Sequence, residues 1–170
     1  LLPLLDQPCP VERMSAVYAL GRNPYPNAVG KLVSLLETDD NAYVRRATAW
    51  SLANYDNEIV LKPLINSLKN DVASVRLWSS SSLAEIGSTS SFNAQLAAEQ
   101  LLISLRIDNE PVVRSNCIWS LCRLFEKLNE LSQESFVDEC TKIALFDKEP
   151  SVMEEAKTAL DSMGMKGFYK

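Results

Sequence analysis

Nine residues recur five times along this chain. The stretch "VRRATAWSL", Val44 to Leu52, opens on Val, places Arg at the next position and closes on Leu eight residues after the Val. The same frame fits "ERMSAVYAL" from Glu12 to Leu20, "VRLWSSSSL" from Val75 to Leu83, "VRSNCIWSL" from Val113 to Leu121 and "VMEEAKTAL" from Val152 to Leu160. The closing leucines lie 32, 31, 38 and 39 residues apart, the period of stacked helix pairs. Arg13, Arg45, Arg76 and Arg114 hold the position after the opening residue, and Met153 breaks the series.

Each unit reads as two helices. The segment before each later frame is apolar at helical spacing, as in "AVGKLVSLL" from Ala28 and "FVDECTKIAL" from Phe136. A turn follows that carries Asp39 and Asp40, Asp71, Asp108 or Asp147 four or five residues before the Val, placed to cap or start the second helix. Alternation of apolar and polar residues is nowhere sustained, so no strand is expected. Pro63 should bend a first helix, whereas Pro111 and Pro150 fit first-turn positions. The fold expected is an all-α solenoid of about five helix pairs, the first helix clipped, in one domain over 1–164. Its units span about 1–22, 27–55, 58–87, 93–129 and 132–164, and 165–170 is read as a loose tail. The start "LLPLLDQPCP" has no initiator Met and is expected to be a cut within a longer chain.

One zero in the composition narrows the chemistry. The chain has no His, so the usual general base near neutral pH, the Ser-His and Cys-His nucleophile pairs and the commonest metal ligand are missing. The five glycines form neither a G-x-G-x-x-G nor a G-x-x-x-x-G-K loop, so no phosphate cradle is written. A net charge of -5 argues against a nucleic-acid groove and modestly favours basic partners. No apolar run approaches the roughly 20 residues that span a bilayer, and the first residues lack the basic flank of a signal peptide. Cys9, Cys117, Cys122 and Cys140 follow no C-x-x-C or disulfide spacing. They are expected to be reduced thiols without metal, in a reducing, cytosol-like compartment.

With Asp and Arg in register, the spelling D-x-x-x-V-R-x-x-A-x-x-x-L resembles the HEAT repeat, and its short form resembles the phycobilin-lyase HEAT-like branch. The resemblance runs over essentially the whole chain. It implies a right-handed superhelix and a cyanobacterial or plastid protein acting on phycobiliproteins, similar to the paired lyase subunits that attach bilin to a cysteine or to the type tied to phycobilisome degradation. A related type is linked to iron–sulfur assembly proteins. Deoxyhypusine hydroxylase, another HEAT-repeat enzyme, binds iron through His-Glu pairs, and a chain without His cannot be that enzyme.

The Asp and Arg ladder, Asp40, Arg45, Asp71, Arg76, Asp108 and Arg114, is read as structural: an Arg just inside one second helix reaches the Asp of a neighbouring turn. Counting the Val as position zero, positions zero, three, four, seven and eight should face the core and two, five, six and nine should face outward. The outward set is apolar, with Met14, Val17, Tyr18, Arg46, Trp50, Leu77, Ser81, Ile118 and Trp119 lining a partner or ligand groove. Second helices line the concave side of such superhelices, which would place Tyr18, Trp50 and Trp119 in one column with a gap at Ser81. The competing account makes Trp50 and Trp119 ordinary core. Trp78, at position three, is assigned to the core, and the "SSSS" run from Ser79 to Ser82 to close helix packing rather than chemistry. The last frame carries Glu154, Lys157, Thr158 and Asp161 outward, the polar face of a terminal cap.

The functional expectation is a binding module that holds a phycobiliprotein or its bilin during chromophore attachment or turnover, with no firmly bound cofactor and at most a transient bilin. The chain shows no catalytic constellation and could be at most one subunit of a bilin lyase, beside a lyase partner subunit. The other expectation is a non-enzymatic protein-protein adaptor, for example one linked to iron–sulfur cluster assembly.

Overall fold

The computed structural model describes residues 1–169, and among them the chain forms nine α-helices and no strand. The all-α architecture of successive helix pairs expected from the repeat is the one observed. Packing groups the helices into two units, Leu1–Ile86 and Gly87–Lys170.

The first unit holds a short 3-10 turn (Leu2–Asp6), α1 (Pro10–Arg22), α2 (Val29–Thr38), α3 (Ala42–Leu52), α4 (Leu61–Asn70) and α5 (Ala73–Gly87). Its helices begin where the local chemistry supplies their unpaired N–H groups with acceptors or removes the need for them. Pro10 opens α1, a position whose N–H would lack a partner in any case. The Asn41 side chain caps α3 by accepting from the N–H groups of Tyr43 and Val44. A 3-10 turn (Glu58–Val60) precedes α4, so Pro63 falls in its first turn, where no intrahelical donor is lost. The first helix α2 packs on α4, and the second helix α1 packs on α3, which gives two layers with the apolar stripe between them. Val44, Val75, Leu52 and Leu83 are fully buried in that stripe, and Leu20 nearly so. Buried Tyr55 ties two loops together, its hydroxyl donating to the Leu20 carbonyl at 3.0 Å and accepting from the Tyr25 N–H at 3.3 Å.

The second unit repeats the plan with α6 (Ser91–Ile107), α7 (Pro111–Leu124), α8 (Glu130–Phe146) and α9 (Pro150–Ser162). Ser90 and Asn129 cap α6 and α8 through the N–H groups of Asn93 and Ser132, and Pro111 and Pro150 open α7 and α9 as expected. α6 packs on α8 and α7 on α9, again in two layers, with Val113, Leu121, Phe136, Val152 and Leu160 fully buried.

The tail is not loose over its described length. Gly164 takes φ +79°, which lets the Met165 N–H turn back to the Leu160 carbonyl at 2.9 Å and the Gly164 N–H to Asp161 at 3.1 Å, a Schellman ending for α9. A second left-handed glycine, Gly167 at φ +101°, redirects the chain so that the Tyr169 hydroxyl donates to Asp161 Oδ1 at 2.6 Å. Lys170, the last residue of the expected tail, lies outside the described residues.

Candidate functional site

Three of the repeat arginines, Arg13, Arg45 and Arg114, each serve two turns. Arg45 gives Nη1 to the Asp39 carbonyl of the turn before its own helix at 2.8 Å, while Nε and Nη2 form a fork on the Asp71 carboxylate of the next turn at 2.8 and 2.7 Å. Arg13 repeats this with the Gln7 and Pro8 carbonyls and a fork of 2.8 and 2.9 Å on Asp39. In the second unit Arg114 bonds the Asp108 carbonyl at 3.0 Å and the Asp147 carboxylate at 2.8 Å. Arg76 donates to the Asp71 carbonyl at 2.8 Å.

The acid that receives Arg13 is mainly Asp39 rather than Asp40. The Asp39 side chain is 2% exposed, whereas Asp40 is 93% exposed and touches Arg13 Nη2 at 3.2 Å from the rim. The aspartates also do not cap the second helices directly. Asp39, Asp108 and Asp147 accept from the N–H two residues on, in Asn41, Glu110 and Glu149, and so shape the turn that leads into each helix. Burial alone would raise the Asp39 carboxyl, but the Arg13 guanidinium and the Asn41 N–H outweigh it and hold the group below the ordinary carboxylate value. The same fork raises Arg13, and the Asp71 fork raises Arg45.

The outward face of the second helices is rotated from the face the frame predicts. Position five is core, with Val17, Ala49, Ser80 and Ile118 all 0% exposed. Position minus one is open to solvent at Val11, Tyr43, Ser74, Val112 and Ser151. At 100° per residue, positions minus one, two, three and six fall within about 100° of one another, and position five lies roughly 100° or more from their centre, against the neighbouring helix. Val17 and Ile118 therefore leave the groove. Trp78, assigned to the core, joins the outer face instead, 38% exposed.

In the first unit this rotation gathers aromatic side chains on one register. Tyr18 of α1 and Trp50 of α3 are half-buried and meet at 5.5 Å between ring centroids, tilted by 53°. Tyr43 is exposed beneath the Arg46 guanidinium, 5.4 Å from its ring centre. Met14, Arg46, Leu77 and Ser81 are half-buried on the same face. Trp50 belongs to both competing accounts at once. It is accessible on one side, and on the other it lies over Gly21, where a Cβ would come within 2.4 Å of its ring. The serine run packs α5 against α3: Ser79, Ser80 and Ser82 are buried, and the Ser82 hydroxyl donates to the Ala49 carbonyl at 2.7 Å. In the second unit Trp119 of α7 is 40% exposed, with the Arg123 guanidinium 5.1 Å from its ring centre.

All four cysteines are free thiols. Burial pushes Cys122 up to about 11 and raises Cys140 as well, which keeps both protonated and poorly nucleophilic at neutral pH. Among the described residues no group of three or more Cys, Asp or Glu is placed to hold a metal ion. No helix among them is long and apolar enough to cross a membrane.

Fully buried Val and Leu at fixed places in the frames from Val44 onward, and arginines that bridge successive turns, are what a repeat family would leave in three dimensions. Residues 1–84 match the HEAT-repeat family. No curated protein matches the chain. Among solved structures, the chain is similar to a designed armadillo repeat protein in complex with the peptide (KR)4, at 19% identity and a TM-score of 0.66, over 98% of this chain and 87% of that one. An engineered protein from the Northeast Structural Genomics Consortium aligns at 22% identity and a TM-score of 0.67, over 94% of this chain and 77% of that one. A further designed armadillo repeat protein aligns at 18% identity and a TM-score of 0.57, over 98% and 91% of the two chains. At these identities the likeness establishes an armadillo- and HEAT-like repeat fold.

Proposed function

We propose that the chain is a HEAT-like scaffold that binds a protein partner through the outer face of α1, α3 and α5. The observation that carries this is the exposure of Tyr43 and Trp78 beside the half-buried Tyr18–Trp50 pair on one register of successive second helices. Aromatic side chains with one face in water and the other on a rigid helix supply large contact area at small entropic cost, which is the profile of interface anchors. A designed armadillo protein of similar fold was solved with a peptide, and this supports a polypeptide as the class of ligand.

The finer reading is that the partner is a phycobiliprotein, or a lyase partner subunit, with bilin held only in passing. Its support is the D-x-x-x-V-R spelling of the repeat, present here around Asp71, Val75 and Arg76. The test is affinity capture from a phycobilisome-containing lysate with the wild-type chain and with Tyr43→Ala/Trp78→Ala, followed by mass spectrometry. The expected result is a phycobiliprotein retained by the first and lost by the second, with each Trp or Tyr anchor worth about 2 kcal/mol. Recovery of an iron–sulfur assembly protein in its place would replace the finer reading with that of an adaptor and keep the scaffold. Equal capture by both variants would remove the aromatic face as the binding site.

A further inference from the structure

The folded-back tail completes a groove in the second unit. Phe125 and Val137 contribute its apolar base, and Met165 and Phe168 come from the tail, around a volume of about 330 Å³. Phe168 remains 57% exposed although the chain on either side of it is fixed, by the glycine turn at Gly164 and by the Tyr169 bond to Asp161. Along one side of the groove run Glu130, Glu134 and Asp138, all exposed, and among the described residues none of the three makes an ion pair.

We propose that this groove binds an extended basic peptide segment in which Lys or Arg alternates with apolar residues. Residues four apart on a helix are separated by about 6 Å along its axis. Alternate side chains of an extended peptide project to one side at intervals of about 6.7 Å. Three cations at alternate peptide positions can thus each face one carboxylate of the α8 row. The intervening side chains then point the other way, toward Met165 and Phe168. Charge selects the same occupant: α8 carries Glu130, Glu134, Asp138 and Glu139 against Lys142 alone, so an acidic or neutral segment gains nothing from the row.

The experiment uses the full chain and a fluorescein-labelled (Lys-Leu)3 peptide, read by fluorescence anisotropy. The expected result is saturable binding that weakens as salt is raised. Affinity should fall about tenfold or more in Glu130→Gln/Glu134→Gln/Asp138→Asn, a change confined to exposed side chains. Phe168→Ser should weaken it similarly, and (Lys-Ser)3 and (Glu-Leu)3 should not compete. Tyr43→Ala/Trp78→Ala should bind the peptide as the wild type does, so the two surfaces are separable. Undiminished affinity in the triple variant, loss in the Tyr43/Trp78 variant, or equal competition by (Glu-Leu)3 would overturn the proposal. A concentration-dependent dimer abolished by Phe168→Ser would also overturn it, the occupant then being a second copy of the chain.

Discussion

Arg45 shows how much of the first unit rests on single side chains. One guanidinium satisfies a backbone carbonyl of its own turn and both oxygens of the carboxylate in the next turn, so its removal leaves a half-buried acid without its cation. Arg45→Ala should lower stability by about 2–4 kcal/mol in urea or thermal unfolding. Arg45→Lys should recover only part of the loss, because an ammonium cannot reproduce the fork. The preceding rung, in which the Asp39 carboxylate holds Arg13, carries a pH signature. Its folded carboxyl titrates below its unfolded value, so its contribution is complete above the unfolded value near pH 4 and is lost as pH falls through the lower, folded value. Stability measured from about pH 5 downward should therefore drop in the wild type and drop less steeply in Asp39→Asn. The sequence reading places the tie on Asp40, whereas the fork falls on Asp39, since both lie within reach of Arg13. Burial decides, and burial depends on how the turn is closed by the Asn41 N–H. Gly21 was equally silent in the sequence. With the Trp50 ring against it and Ser51 backbone 3.1 Å from an added methyl, Gly21→Ala should destabilise by about 1–3 kcal/mol, measurable by thermal unfolding and by a shift in Trp fluorescence.

At the scale of the helix, the frame located every second helix but misjudged its rotation. Position zero and position eight are the buried Val and Leu in the frames from Val44 onward. Periodicity alone fixes the stripe that faces the first helices. It does not reveal that each second helix is also packed from the side by its neighbours, as α1 is on α3 and α7 on α9. That lateral contact draws Val17, Ala49 and Ile118 inward and leaves position minus one and Trp78 in water. The tail was misread for a related reason. "GMKGFY", 164–169, has no apolar period, and its order comes from two left-handed glycines and one hydroxyl bond. Gly164→Ala should consequently cost about 1 kcal/mol of stability and raise protease sensitivity near residues 163–169, because a Cβ is strained at φ +79° even where space is free.

For the molecule as a whole, the repeat architecture was legible because it is written five times, and errors in one copy are corrected by the others. The partner was not, since aromatic residues on a helix have the same spelling whether they anchor a ligand or a neighbouring helix. The ladder carries one more consequence. Each rung in the first unit runs the same way along the chain, from the Arg of one repeat to the Asp of the following turn: Arg13 to Asp39, then Arg45 to Asp71. Every repeat there offers a plug on its second helix and a socket on its turn, in a fixed order. A duplicate of residues 26–57 spliced in after residue 57 would meet a matching socket at one joint and a matching plug at the other. The lengthened chain should fold, gain helical signal in proportion to its added residues, and unfold at a higher denaturant concentration than the parent. The unit of inheritance in such a protein is thus a segment of about 32 residues with compatible ends, and length can change by whole segments without redesign of any interior.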